Sequence, residues 1–371
     1  MKVLYLTDQT FLHGGVEKVL SQKSNYLANI LGDEVTIVTY RQKNKKPIYH
    51  FSPKIKFIDL DVNYEISESY YHPYNLQKVP HHILALKKVL KGLKPDVIIS
   101  CHFGPDFYFI PFLVRQIPKI KEFHSSRYFY AAEPKTLKTK LLHQLTISIE
   151  KKYDQLVVLN ESERQFYRSE NITVIPNPAE ISSIRADLTS KKIMAAGRIS
   201  PVKNFWDLIE AFAGVAKDFP GWQLHFFGED YSGTQAKLEQ KISEYGLQNQ
   251  IKFMGIAPDL KVEMKDYSIY AMTSESECFP MVLLEALSVG LPVISYDSPT
   301  GPQYILKNEE DSFIVPYKNL DIFVSKLKEM MQNENLRHQM SAKGRENVLR
   351  FRIEIVMQHW TNLFISLINK K

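Results

Sequence analysis

Short runs of β-branched and aromatic residues alternate along this chain with longer stretches whose apolar positions recur every three or four residues. Alternation of that kind marks βαβ units and a largely parallel sheet. In the first half it predicts strands near 2–7, 34–39, 55–60, 96–100, 119–123, 155–159 and 172–176, with helices over 15–31 and 79–93. The second helix, Val79 to Lys91 and beyond, combines an apolar stripe with a basic face. The pattern then restarts. Strands are expected near 192–196, 222–227, 251–255, 269–272, 292–295 and 313–315, and helices near 204–217, 232–245, 280–289 and 320–332. The expectation is an α/β chain with two Rossmann-like sheets, which its 371 residues also favour over one oversized core. The Pro176-Asn177-Pro178 turn and the polar stretch 179–191 place the linker. At the far end Ile353, Val356, Met357, Trp360, Leu363, Phe364, Leu367 and Ile368 fall on one face of a terminal helix.

Composition narrows the class. Hydrophobic residues make up 44% and charged residues 24% of the chain, ordinary for a soluble globular protein. No segment offers the roughly twenty apolar residues of a membrane-spanning helix. Met1-Lys2-Val3-Leu4-Tyr5-Leu6-Thr7 runs into polar Asp8-Gln9-Thr10 and reads as a first strand, with no signal-peptide pattern. Cys101 and Cys278 lie far apart without metal-ligand neighbours, so neither a disulfide scaffold nor a zinc site is expected, and a reducing cytoplasm fits. The net charge of +6 is uneven: residues 1–180 hold 25 Lys/Arg against 18 Asp/Glu, and the remainder 22 against 23. The basic half shows no nucleic-acid module, which leaves anionic lipid headgroups as its functional reading beside simple solvation.

Candidate chemistry concentrates in Ser274-Glu275-Ser276-Glu277-Cys278-Phe279-Pro280-Met281-Val282-Leu283-Leu284-Glu285, followed by Gly290-Leu291-Pro292-Val293. A strand runs into a loop, Pro280 suits the first turn of a helix, and Gly290 suits its C-terminal cap. Backbone N–H groups at such a terminus form an anion site, so a diphosphate near Met281 and Val282 needs no special side chain. Glu277 and Glu285 are spaced to address a sugar hydroxyl and a ribose diol. A second element, Gly197-Arg198-Ile199-Ser200-Pro201-Val202-Lys203-Asn204, joins a strand to a helix. Arg198 as a planar fork and Lys203 as a point charge can converge there on one diphosphate.

Glu277-x7-Glu285 and Gly197-Arg198-x4-Lys203-Asn204 resemble the signature elements of the family-four retaining glycosyltransferases of the GT-B fold, the group-1 type found in capsule, O-antigen and exopolysaccharide synthesis. Cys278 and Pro280 stand where the family has glycine, and Pro280 has no N–H to offer. The resemblance implies two Rossmann-like domains facing each other across a deep cleft. An acceptor-binding domain would cover 1–183 and a nucleotide-sugar-binding domain 184–353, with the helix 354–371 returning to the first. It implies donor contacts from Gly14 and Gly15 in the first strand-to-helix loop, and from Gly228, Ile256, Phe279, Met281, Val282 and Glu285. His124, at the end of a strand, matches the family's histidine near the donor sugar, so the expected catalytic set is His124, Glu277, Arg198 and Lys203. The Ser298-Pro299-Thr300-Gly301-Pro302 turn resembles another element near the donor.

The expected reaction moves a hexose or N-acetylhexosamine from a nucleotide diphosphate sugar, UDP being the commoner base, to a saccharide acceptor, with retention. No cofactor and no metal are expected, because Arg198 and Lys203 supply the positive charge. Asp59-Leu60-Asp61 looks like an Asp-x-Asp metal motif, but it lies at a strand end and is set aside. The basic first half, the 79–94 helix and the Tyr/His-rich Tyr64–His82 region point to a lipid-linked acceptor at the cytoplasmic membrane face. Two alternatives stay open: a nucleotide-sugar epimerase or phosphorylase, and a non-catalytic nucleotide-sugar-binding protein.

Overall fold

The computed structural model describes residues 1–128 and 136–371, and within them the chain divides into two compact units, Met1–Pro178 with Ile353–Lys371, and Ala179–Arg352. The boundaries expected at 183/184 and 353/354 thus fall at 178/179 and 352/353. The cause is local: the Ala179 N–H donates to the Phe351 carbonyl at 2.7 Å and Ala179 bridges to Arg352, closing the second unit at both of its ends.

The first unit runs β1 (Lys2–Thr7), α1 (Gly15–Asn29), β2 (Glu34–Thr39), β3 (Lys56–Asp59), α2 (Pro73–Leu76), α3 (Val79–Leu93), β4 (Val97–Ser100), β5 (Lys119–Glu122), α4 (Leu137–Glu150), β6 (Gln155–Val158) and β7 (Ile172–Val174). Its strands pair in parallel in the order β3-β2-β1-β4-β5-β6-β7. Side chains alternate across the sheet, and this splits the core in two. Val3, Tyr5, Val35, Ile37, Val97 and Ile99 face Leu20 and Leu27 of α1, while Leu4, Leu6, Val38 and Ile98 face Leu86 and Leu90 of α3.

The second unit runs β8 (Lys192–Ala196), α5 (Phe205–Ala216), β9 (Gln223–Phe227), α6 (Thr234–Glu244), β10 (Ile251–Gly255), α7 (Leu260–Met264), β11 (Ile269–Met272), α8 (Met281–Val289), β12 (Val293–Tyr296), β13 (Ser312–Val315), α9 (Leu320–Gln332) and α10 (Glu334–Asn347). Here the parallel order is β10-β9-β8-β11-β12-β13. A core of Ile193, Leu224, Phe226, Ile269 and Ile294 lies under Leu208, Phe212, Phe323 and Leu327. Last comes α11 (Ile353–Ile368), which joins the first unit and buries Val356, Met357, Trp360 and Phe364 in the α1 side of its core.

Among the described residues four helices were not legible in the pattern, the single turn of α2 among them. The buried face of α10 is Arg337, Met340, Gly344 and Asn347, correctly spaced but mostly polar. Its anchors are hydrogen bonds, from the Arg337 guanidinium to the Leu188 carbonyl at 2.8 Å and from Asn347 Nδ2 to the Ile305 carbonyl at 2.9 Å. α4 leaves Leu137, Leu141 and Leu145 exposed and buries Ile147, Ile149 and Glu150, so its apolar stripe points outward. α7 is too short to show a period.

Candidate functional site

In the second unit, β8 ends at Ala196 and the chain turns through Gly197 at φ +148°. The Gly197 N–H donates to the Phe227 carbonyl at 2.9 Å, and Gly228, at φ +144°, donates to Gly255 at 2.8 Å. A Cβ on Gly228 would overlap the Gly197 carbonyl oxygen. Only glycine allows the two strand ends to approach this closely. Arg198 follows, exposed on the loop, and a single 3₁₀ turn, Pro201–Lys203, ends on Asn204 in the left-handed region at φ 47°. That turn folds Lys203 back over Gly197, where a Cβ would stand 2.7 Å from Lys203 Cε.

The Lys203 ammonium donates to Glu277 Oε1 at 2.5 Å, with both side chains largely covered. Sequence reasoning gave these residues separate duties, one to phosphate and one to sugar. The fold makes them partners. Three contacts hold the pair: Glu275 N–H to the Val202 carbonyl at 2.8 Å, Thr273 Oγ1 to the Asn204 carbonyl at 2.8 Å, and Thr300 Oγ1 to the Glu277 carbonyl at 3.0 Å. Gly301 packs against Glu277, where a Cβ would come within 2.7 Å of the Glu277 Cβ. The 298–302 turn, read from sequence as an element near the donor, is therefore the backing of Glu277.

α8 begins at Met281, four residues after Glu277. Pro280 stands at its N-cap, φ −68° and ψ 115°, one position before the first turn in which it was expected, because its extended backbone does not enter the helix. No side chain caps this end. The N–H groups of Met281 and Val282, both partly exposed, carry the positive end of the helix dipole. Phe279 is buried, Glu285 is nearly buried one turn inside, and Gly290 closes the helix at φ 76°. Ile256, at the exit of β10, is exposed. The loop after β8, the loop after β11 and the start of α8 thus put a basic side chain, a carboxylate and uncapped amides in one place.

In the first unit, Gly14 caps α1 in an extended conformation, and a Cβ there would overlap the Glu17 carboxylate; Gly15 is exposed. Gln9 shapes the loop by accepting from the N–H groups of Phe11 and Leu12 at 2.7 and 2.9 Å, and it donates to Glu17. His124 follows β5, with Nε2 at 3.5 Å from Glu122 Oε1. Lys23 Nζ reaches both Glu122 oxygens, at 2.6 and 2.7 Å, and lies 3.9 Å from the centre of the Trp360 ring on α11. Burial pushes the Glu122 carboxyl up, but Lys23 and then His124 outweigh it and hold the group well below the ordinary carboxylate range. Glu122 and Lys23 carry no signal that sequence reasoning could have used, since their meaning lies in a contact between α1 and β5.

Cys101, Glu122 and His124 gather donor atoms within 4.8 Å of one another. The set does not suit a cation. The Lys23 ammonium already occupies both carboxylate oxygens, and burial pushes the Cys101 thiol up, away from the thiolate a metal needs. Asp59 is likewise committed to structure, accepting from Thr39 Oγ1 at 2.9 Å and from the Gln42 N–H at 3.2 Å. Among the described residues no helix is long and apolar enough to cross a membrane.

Residues 177–347 match the family model described as Glycosyl transferases group 1, and residues 13–183 match that of Glycosyltransferase Family 4. An exopolysaccharide phosphotransferase of Streptomyces coelicolor is 31% identical over 59% of this chain, which spans only 24% of that protein's length. An amylovoran biosynthesis glycosyltransferase of Erwinia amylovora is 23% identical over 98% of this chain and 99% of its own. In structure, a mutant of S. aureus TarM in complex with Fondaparinux, alpha-GlcNAc-glycerol and UDP superimposes with a TM-score of 0.78 at 15% identity, over 98% of this chain and 100% of that one. Two parallel sheets of this order, and two matched models that together run from residue 13 to residue 347, place the chain in the family-four, group-1 glycosyltransferases of the GT-B fold.

Proposed function

We propose that this glycosyltransferase is a retaining, metal-independent enzyme that moves a hexose or N-acetylhexosamine from a UDP-sugar to a lipid-linked saccharide, in the synthesis of a bacterial surface polysaccharide. The second unit takes the donor and the first the acceptor, and the chain works in the cytoplasm, peripherally on the membrane's inner face. The observation that carries this reading is the Lys203–Glu277 contact of 2.5 Å beside the uncapped start of α8. Arg198, Lys203 and the Met281 and Val282 amides receive the diphosphate. Glu285 takes the ribose diol, Phe279 closes the wall behind, and Gly228 and Ile256 border the base. Glu277 holds the sugar, and His124, Gly14 and Gly15 are the residues of the first unit that this reading assigns to the donor.

Negative charge on the departing β-phosphate grows as the sugar–oxygen bond breaks, so fixed cations there lower the barrier more than they tighten ground-state binding. That role is often a metal's, and here two side chains and a helix terminus fill it. The acceptor hydroxyl attacks the face the phosphate leaves, which returns the donor's anomeric configuration. The names of relatives agree in kind: one acts in amylovoran biosynthesis, and the S. aureus protein is described with UDP.

A thermal-shift panel of UDP-, GDP- and ADP-sugars, run with and without chelator, tests the reading. Stabilisation by a UDP-sugar that survives EDTA is the expected result, and a response that requires Mn²⁺ or Mg²⁺ would overturn the metal-free assignment. Release of UDP with a free epimerised sugar, in the absence of acceptor, would support an epimerase.

A further inference from the structure

The first sheet reverses its direction of growth between β1 and β4, and the segments leaving these two strands run side by side, the Cys101 N–H donating to the Leu6 carbonyl at 2.9 Å. In open parallel sheets such a reversal is where ligands lodge. The segment after β4 brings His102, Phe103 and Tyr108 to this edge, and the loop after β3 brings Tyr70 and Tyr71. Phe103 and Tyr71 are each 44% exposed.

Both rings rest on a fixed base. Phe103 lies 4.7 Å from Phe107 and 6.4 Å from Tyr108, while Tyr71 lies 6.1 Å from Tyr108 and its hydroxyl meets the Tyr108 hydroxyl. Phe107 is fully buried and stacks on Tyr153 at 5.7 Å, and the Tyr153 hydroxyl donates to the Phe107 carbonyl at 2.9 Å. His102 remains partly exposed between Asp8, 3.6 Å from its Nδ1, and the Tyr70 hydroxyl, 3.4 Å from its Nε2. Arg41 fixes Asp8 at 2.7 Å. Burial holds the His102 ring below the usual imidazole range, and both of its ring nitrogens face protein partners, which fixes the Tyr70 hydroxyl beside it.

We propose that this ledge binds the acceptor saccharide, the faces of Phe103 and Tyr71 taking the C–H face of a pyranose while the tyrosine hydroxyls bind its hydroxyl groups. The assignment rests on the glycosyl-transfer reading and adds to it the place where the acceptor sits. Flat apolar faces framed by hydroxyls match a sugar ring, which is apolar on its face and polar at its rim. An anionic lipid surface fits poorly, because Glu65 and Glu68 stand exposed on the loop that carries Tyr70 and Tyr71.

Saturation-transfer-difference NMR on the full chain tests the ledge, with the methyl glycosides of glucose, galactose, mannose and N-acetylglucosamine as probes and UDP binding measured on the same samples. Transfer to the ring protons of at least one glycoside is expected. Phe103→Ala and Tyr71→Ala should each weaken that binding about tenfold, Phe103→Trp should preserve it, and UDP affinity should not change in any of them. Undiminished transfer in the Phe103→Ala, Tyr71→Ala double variant, or no transfer from wild-type protein to any of the four, would overturn the proposal. Wild-type protein that binds a glycoside at the ledge but no UDP would support the ledge and sink the donor reading instead.

Discussion

Lys23 and Glu122 show how a residue with no motif can matter as much as one within a motif. Both side chains are all but inaccessible, and each is surrounded by groups that suit its charged form. Removing one member of such a pair leaves the other buried and uncompensated, at a cost of about 3–5 kcal/mol. Lys23→Met should therefore lower the unfolding free energy of the first unit by that order in urea titration. Because the folded Glu122 pKa is depressed, its contribution is complete above about pH 4.3, the ordinary glutamate value, and is lost as pH falls through the folded value. Glu122→Gln should accordingly flatten the acid limb of the stability curve, and an unchanged acid limb would show that the pair is not what holds the unit together at low pH. At this scale the sequence was partly legible. Arg198, Lys203, Glu277 and Glu285 stand in motifs a few residues long, whereas the Lys203–Glu277 contact and the Glu122 network join positions far apart and become visible only in three dimensions.

Elements were legible where apolar residues carry the period and illegible where they do not. β1, β2, β11 and β12 read well because each is a short run rich in β-branched or aromatic residues and buried on both faces. α10 was missed because Arg337 and Asn347 hold its inner positions through hydrogen bonds to carbonyls and Gly344 adds no apolar side chain. The loop after β8 owes its shape to glycine rather than to its charges. Gly228 came out of the sequence as a donor contact, and the fold gives it a mechanical task, since its missing side chain makes room for the Gly197 carbonyl. Gly228→Ala should displace the Gly197–Lys203 segment. Its predicted signature is a loss of UDP affinity of about tenfold or more together with a lowered melting temperature, because the left-handed backbone there is strained with any Cβ. Unchanged UDP affinity in a folded Gly228→Ala protein would remove the loop from the donor site.

For the whole molecule, two features of the chain order decide the architecture. The hydrophobic pattern restarts after the Pro176-Asn177-Pro178 turn and gives the second unit a core of its own, and the terminal helix carries Trp360 back into the core of the first. The restart and the terminal helix's apolar face were both readable; that helix's destination was an inference from family resemblance, since periodicity says which face is buried and not against what. If the proposed reaction is right, the second unit holds a nucleoside diphosphate without a metal, through Arg198, Lys203 and the start of α8. Isothermal titration of UDP into the full chain in EDTA tests it most directly. One-site binding, weakened about tenfold or more in the exposed-side-chain variant Arg198→Ala with the fold intact, is the result predicted, and absence of binding until Mn²⁺ or Mg²⁺ is added would contradict it.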